Sequence, residues 1–455
     1  MNAGIKTFNK KKKNNYLKTT PIILIAFTSA FFPRIIESAG IPSIINFVHF
    51  ALVPFVWVVS LFTTRSKNQK QLYIVKEFLY GLFLLLSVGC ISAFWNRAGV
   101  INLVLSFLLL AEPFFLLIAI IIIPMSLKSL KQFQGWMTGF LFFHLLLIYI
   151  QYGQGFCHLP GDCDNIQGVF YRSGSGHVVG ASVSCSFGLY YLLAAKNRPF
   201  WLRALVFVAS FLNIQLADAK QVLVMFIGAW AIMILIQAKN IRQTFVYITS
   251  LATFLVAFIW AVQNIEALGS FATWARPELY GPNGEATLLK FSGIRYILSY
   301  FSSPINWLVG LGPGHTISRM GGWMIRDYSH IIGPLGATNV PEGKSFAISY
   351  LVWNYVAQSW LAEGSSFFAP FWGWAGIWGD FGFLGLGTYL YLCSIVWRKI
   401  CLDNLSKFLM LTVAICGFIF TQMEEPGYML YIAALLGLRW QERNISKNVK
   451  QNCNI

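Results

Sequence analysis

Apolar runs recur along almost the whole chain, each long enough to cross roughly 30 Å of hydrocarbon as a helix of about 17 to 25 residues. Twelve such spans are expected, at 20–36, 43–62, 77–95, 101–124, 135–152, 178–195, 200–217, 221–237, 244–262, 373–397, 406–423 and 427–439. No water-soluble fold accommodates this pattern. Of 455 residues, 56% are hydrophobic and only 11% charged, which leaves too little polar surface to cover a soluble body. The same apolar content excludes disorder. A net charge of +17 would suit a nucleic-acid binder only if it lay on a polar face, so nucleic acid is not an expected partner. The expected fold class is all-α, a polytopic transmembrane helical bundle of about 12 spans with one long extracytoplasmic loop containing short interfacial helices.

An even number of spans puts both termini on one side, and the Lys and Arg residues say which side that is. The tails and alternate loops on the N-terminal side hold 24 of them, including Lys10 to Lys13, Arg198, Arg398 and Arg443, against only Glu77, Asp403 and Glu442. Both termini are therefore expected in the cytoplasm, with the basic excess against anionic membrane lipids. No A-x-A cleavage site follows the Lys-rich start, so the first apolar run is expected to be retained. The expected divisions are a basic tail (1–19), spans one to nine (20–262), the long extracytoplasmic loop (263–372), spans ten to twelve (373–439) and a second cytoplasmic tail (440–455). Cys157 and Cys163 share one outside loop, where an oxidising compartment permits a disulfide. A Cys/His/Asp metal site there would need a second ligand pair, and the sequence offers none, so no metal is expected.

A connection of about 110 residues is far beyond ordinary loop length, which marks 263–372 as a small domain or a functional lid. Residues 345–361 are apolar, but crossing the membrane there would export the basic loop around Arg398. A helix lying in the outer interface is expected instead. Ile294, Ile297, Leu298 and Phe301 follow i, i+3, i+4, i+7 spacing and form one apolar stripe with Arg295 on another flank. Pro304 ends that helix, and Gly310, Gly312 and Gly314 signal a sharply turned backbone.

Ten outside cations break the inside bias: Arg34, Arg97, Arg172, Lys220, Arg276, Lys290, Arg295, Arg319, Arg326 and Lys344. A cation at a membrane mouth is a functional candidate, although solvation or headgroup pairing accounts for an arbitrary one. Lys220 stands out because Leu216-Ala217-Asp218-Ala219-Lys220-Gln221 is a very short turn between two spans. Arg295 stands out on its surface helix. An arginine fork and a lysine point charge together suit a lipid diphosphate.

Beyond its hydropathy, the chain resembles the O-antigen polymerase and ligase superfamily of bacterial envelope glycan assembly. Arg295-Tyr296-Ile297-Leu298, then Pro304, Trp307 and Gly310-Leu311-Gly312-Pro313-Gly314, is similar to that family's Arg-led helix, proline and G-x-G-x-G turn. Gly379-Asp380-Phe381-Gly382-Phe383-Leu384-Gly385 looks like its acidic-x-Gly-x-x-Gly signature. Arg172-Ser173-Gly174 resembles an Arg-x-x-Gly motif, and Lys220 falls where the family usually has a Ser-Arg pair. The resemblance covers roughly residues 170–435.

It implies a glycosyltransferase of the bacterial inner membrane that needs no cofactor. Its donor and acceptor would be polyprenyl-diphosphate-linked glycans, and a chain-length regulator and a flippase are implied partners. Arg295 and Lys220 would be catalytic clamps. Arg172, Arg319, Arg326, Gly312, Gly314, Asp218 and Asp380 would contact the diphosphate or the glycan. His330 is the preferred general base, since histidine titrates near neutral pH and this one neighbours Arg326 and Asp327. Asp327, Glu363, Asp380 and His315 are alternatives, while His49 and His144 are expected to bond between helices. Loop aromatics such as Trp307, Trp323 and Trp353 suit interfacial anchoring, with sugar stacking as the alternative. Ligase-type members carry a histidine shortly before the acidic signature, whereas this chain reads Ser-Ser-Phe-Phe-Ala-Pro-Phe-Trp over 365–372, which favours polymerase over ligase. A flippase is the alternative of a different class. Only Glu112 is clearly central in the membrane and no internal repeat is visible, which disfavours it.

Overall fold

Where water is absent, a backbone must satisfy its own polar groups, and helices do so within a single segment. The computed structural model describes residues 19–63, 68–157, 163–172, 174–237, 241–265, 276–364 and 366–453, and every regular element among them is helical. The first nine long helices are α1 (Thr19–Phe31), α2 (His49–Thr63), α3 (Gln69–Trp95), α4 (Val100–Ile122), α5 (Leu127–Gly153), α6 (Gly176–Ala194), α7 (Phe200–Leu216), α8 (Lys220–Gln237) and α9 (Ile241–Asn264). After them come α10 (Ser292–Tyr300), α11 (Ile348–Ala357), α12 (Gly373–Ile395), α13 (Asn404–Cys416) and α14 (Pro426–Cys453). Among the described residues, 8 helical segments are long and apolar enough to cross a membrane. A helix stands at each of the twelve expected positions, but α1, α7 and α13 are shorter apolar helices and α14 is not among the eight.

Three boundaries depart from the sequence expectation. The first span breaks at Phe32, and Pro33 opens a separate short helix, Pro33–Ser38. The eleventh ends at Cys416 rather than at 423, leaving a turn before α14. The last runs on as helix to Cys453, through much of the expected tail. Residues 345–361 yield α11, whose 10 residues rise about 15 Å and cannot cross a bilayer, and the start of a separate short helix, Trp360–Gly364.

The enclosed centre is α4, apolar on all faces and packed by α2, α3 and α14. At the periphery, α9 rests on α8 with its apolar length exposed. The basic ends are capped by side chains: Asn68 accepts from the Lys70 and Gln71 amides, Ser126 from Ser129, and Asp403 from Ser406. Asp403 also accepts from Arg439 at 2.9 Å and Arg443 at 3.1 Å, which ties α14 to the start of α13.

The two glycine motifs, read separately in the sequence, meet in space. Gly310, Gly312 and Gly314 all have positive φ, and Gly382 (φ 66°) breaks α12. Backbone lies directly on backbone there: the Leu311 amide donates to the Gly379 carbonyl at 2.8 Å and the Gly312 amide to the Asp380 carbonyl at 3.2 Å. A Cβ on Gly382 would lie 2.3 Å from the Leu308 carbonyl, so only glycine fits. Gly382→Ala is expected to cost about 2 to 4 kcal/mol through strain and overlap. Gly387→Ala, in the same helix with open space around it, should be neutral or stabilise by up to about 1 kcal/mol. Thermal unfolding in detergent measures both, and equal melting temperatures would contradict the interlock.

Candidate functional site

Asp380 fastens this interlock. Its buried carboxylate accepts from the Gly314 amide at 2.7 Å, the Thr316 amide at 3.1 Å and the Thr316 hydroxyl at 2.6 Å. Its carbonyl accepts from the Ser92 hydroxyl of α3 at 2.7 Å. Both carboxylate oxygens are thus engaged in charge-assisted bonds that shape the turn. The turn then delivers Arg319 to the far side of α12.

Arg319 lies against two adjacent glutamates in the turn before α14. Its backbone amide donates to Glu424 Oε2 at 3.0 Å, and its guanidinium pairs with Glu425. Across a narrow cleft of about 40 Å³ stands Arg34, which pairs with Glu37 at 3.4 Å and covers the Tyr328 ring. Asn46 donates to Glu37 at 2.7 Å and to the Tyr328 hydroxyl at 3.0 Å. His49, Phe47 and Phe50 complete the wall. Two guanidinium groups facing carboxylates and hydroxyl donors suit an anionic, hydroxyl-rich ligand. Glu424 is enclosed behind this wall, and its burial, reinforced by Asp380, pushes its pKa up to about 8 against the pull of Arg319.

A second polar cluster forms at the start of α8. Lys220 is buried with its ammonium 2.5 Å from Asp218, which adopts a left-handed backbone (φ 48°). Burial raises the Asp218 pKa, and the Lys220 contact opposes that shift. Gln221 donates to the Ser366 hydroxyl at 3.1 Å, and His177 Nε2 lies 3.1 Å from the same oxygen and 3.4 Å from Asp164. Lys290 links the two clusters. Its ammonium donates to the carbonyls of Phe367 (2.7 Å), Ala369 (2.9 Å) and Ile419 (2.8 Å), joining the segment that carries Ser366 to the turn that carries Glu424 and Glu425. Burial pushes the Lys290 pKa down to about 7.

The three expected catalytic residues stand in different places. Arg295 is exposed and donates to the Leu288 carbonyl; only Ile297 of its stripe is fully buried. Lys220 belongs to the second cluster. His330 is exposed on the segment after Tyr328, with Nε2 3.5 Å from the Ser43 hydroxyl. Arg326 pairs with Asp327 at 2.8 Å and stacks 4.0 Å over Trp353. Arg172 is exposed beside Tyr171. His315 is enclosed between the Leu311 carbonyl and the Thr338 hydroxyl, and burial lowers its pKa. Gly312 and Gly314 shape the interlocked turn. Of the expected site residues, Arg319 alone lines the cleft among the described residues. Cys157 and Cys163 are joined as a disulfide. The Glu363 side chain, Ser365 and the residues between those cysteines lie outside the described residues.

Sequence reasoning missed Glu424, Glu425, Tyr328, Asn46 and His177. A signal for the first two was present: they are the only charged residues between Lys407 and Arg439. No protein-family model and no curated protein matches the chain.

Folded Glu424 keeps its proton up to about pH 8, against an ordinary value of 4.5. Its contribution to stability is therefore full below about 4.5 and is lost as pH rises toward 8. Glu424→Gln removes this loss. The variant's melting temperature should gain on the wild type steadily between pH 5 and 8, and a constant difference would contradict the buried, protonated carboxyl.

Proposed function

We propose that the chain is a membrane glycosyltransferase that polymerises polyprenyl-diphosphate-linked oligosaccharide repeats on the outer face of the bacterial cytoplasmic membrane. The cleft that brings Arg34 and Arg319 together carries this reading. Each guanidinium rests on a carboxylate, Glu37 or Glu425, and can exchange that partner for a phosphate oxygen without being left unpaired. As the anomeric carbon leaves the donor, negative charge grows on the diphosphate, and two preplaced arginines stabilise it. The bound glycan extends from the cleft toward the short helices of 276–372, whose aromatic side chains offer apolar faces. The Lys and Arg asymmetry supports placing this end of the bundle at the outer face, with about twelve spans and both termini in the cytoplasm. No histidine stands in 365–372, which supports polymerisation over ligation.

Lipid-linked glycan profiles of cells carrying Arg319→Ala or Arg34→Ala test this. Loss of one arginine is expected to lower chain extension roughly 10²- to 10³-fold and leave single lipid-linked repeats exposed outside. Long unattached chains would indicate a ligase, and repeats trapped inside a flippase. Wild-type profiles in both variants would sink the assignment of this cleft. Lys220→Ala and Arg295→Ala, analysed alongside, report whether the second cluster and the α10 arginine belong to the same reaction.

A further inference from the structure

The floor of the cleft holds a pair that the reading above leaves unused. His49, the first residue of α2, lines the cleft, and its Nδ1 lies 2.8 Å and 3.0 Å from the two carboxylate oxygens of Glu112. Glu112 is fully buried halfway along α4, the most enclosed helix of the bundle, so its carboxylate cannot turn to solvent. A carboxylate that engages Nδ1 fixes the imidazole orientation and tautomer and leaves the Nε2 lone pair as the acceptor. Among the described residues His49 Nε2 has no hydrogen-bond partner. The titratable and charged groups around it are Glu112 from α4, Arg34 and Glu37 from the helix Pro33–Ser38, Arg319 and Tyr328 from the loop, and Glu425 from the turn before α14.

We propose that His49 is the proton acceptor of this cleft, with Glu112 as its positioning residue. The proposal rests on the glycosyl-transfer reading and deepens it. The O–H bond of an acceptor sugar breaks and its proton passes to His49 Nε2, while the oxygen bonds to the donor's anomeric carbon. The bond from that carbon to the diphosphate breaks, and its electron pair leaves on the diphosphate against Arg34 and Arg319. The imidazolium then returns the proton to water at the cleft mouth. The exposed His330, at the rim beside Ser43, is not needed for this step.

The test uses the full chain in lipid nanodiscs with lipid-linked repeats extracted from cells that lack it. His49→Asn keeps a donor toward Glu112 but removes the base. It is expected to lower kcat roughly 10²- to 10³-fold with KM little changed, and to abolish the acidic limb of the pH–rate profile. Imidazole added to His49→Ala should restore part of the rate, which a purely structural role would not allow. Glu112→Gln should lower kcat about tenfold or more and shift the acidic limb, and it decides the matter if the His49 variants do not fold. A His49→Asn enzyme with near wild-type kcat and an intact acidic limb, or an unchanged profile in Glu112→Gln, overturns the proposal. If Arg319→Ala is inactive in the same assay, the glycosyl-transfer reading survives that loss. Failure of the wild type to extend these repeats overturns both.

Discussion

The contact between Asp380 and the glycine turn is the constraint on which the rest of the site depends. A carboxylate taken out of water must find donors, and Asp380 finds them in the Gly314 and Thr316 amides and the Thr316 and Ser318 hydroxyls. Those bonds hold the Gly310–Gly314 backbone against the break in α12 at Gly382, where any side chain would separate the two strands of backbone. Everything downstream follows from where that turn ends. Arg319 emerges beside Glu424 and Glu425, and the chain continues into the Tyr328 wall that faces Arg34. Asp380 therefore acts on the cleft through the backbone.

Charge is handled in the same way throughout. The enclosed or half-buried cations sit on named acceptors: Arg319 on Glu425, Lys220 on Asp218, and Lys290 on three carbonyls. Pairing is costly to assemble in a low-dielectric interior but costlier to break on one side. Lys290 holds the Ser366 segment and the Glu424–Glu425 turn to the same ammonium.

The periodic part of the fold was legible because it is local. A run of apolar residues specifies a helix in hydrocarbon whatever its neighbours, and a helix stands at each of the twelve expected positions. The errors fall where local rules compete. Pro33 ends α1 early, Gly417 stops α13 and packs its backbone on Trp374, and the amphipathic continuation of α14 carries helix beyond the apolar run. The glycine turn was likewise legible, since only glycine tolerates those φ values in succession. The chemistry was less so. Arg295 drew notice because it sits on a clean helical stripe, a local pattern, and it proves exposed and bonded to its own segment.

By itself the sequence determined a helical membrane bundle, its helix positions, the long late loop and the two glycine-marked breaks. Each of these follows from the transfer energy or the backbone freedom of residues close together in the chain. Only the tertiary structure decided that residues 34, 49, 319 and 425 line one cleft with Glu112 against His49, and that the two glycine breaks interlock. Those meetings join positions up to hundreds of residues apart. They are selected by the pairing of buried polar groups across helices, which leaves no period and no spacing in the sequence to read.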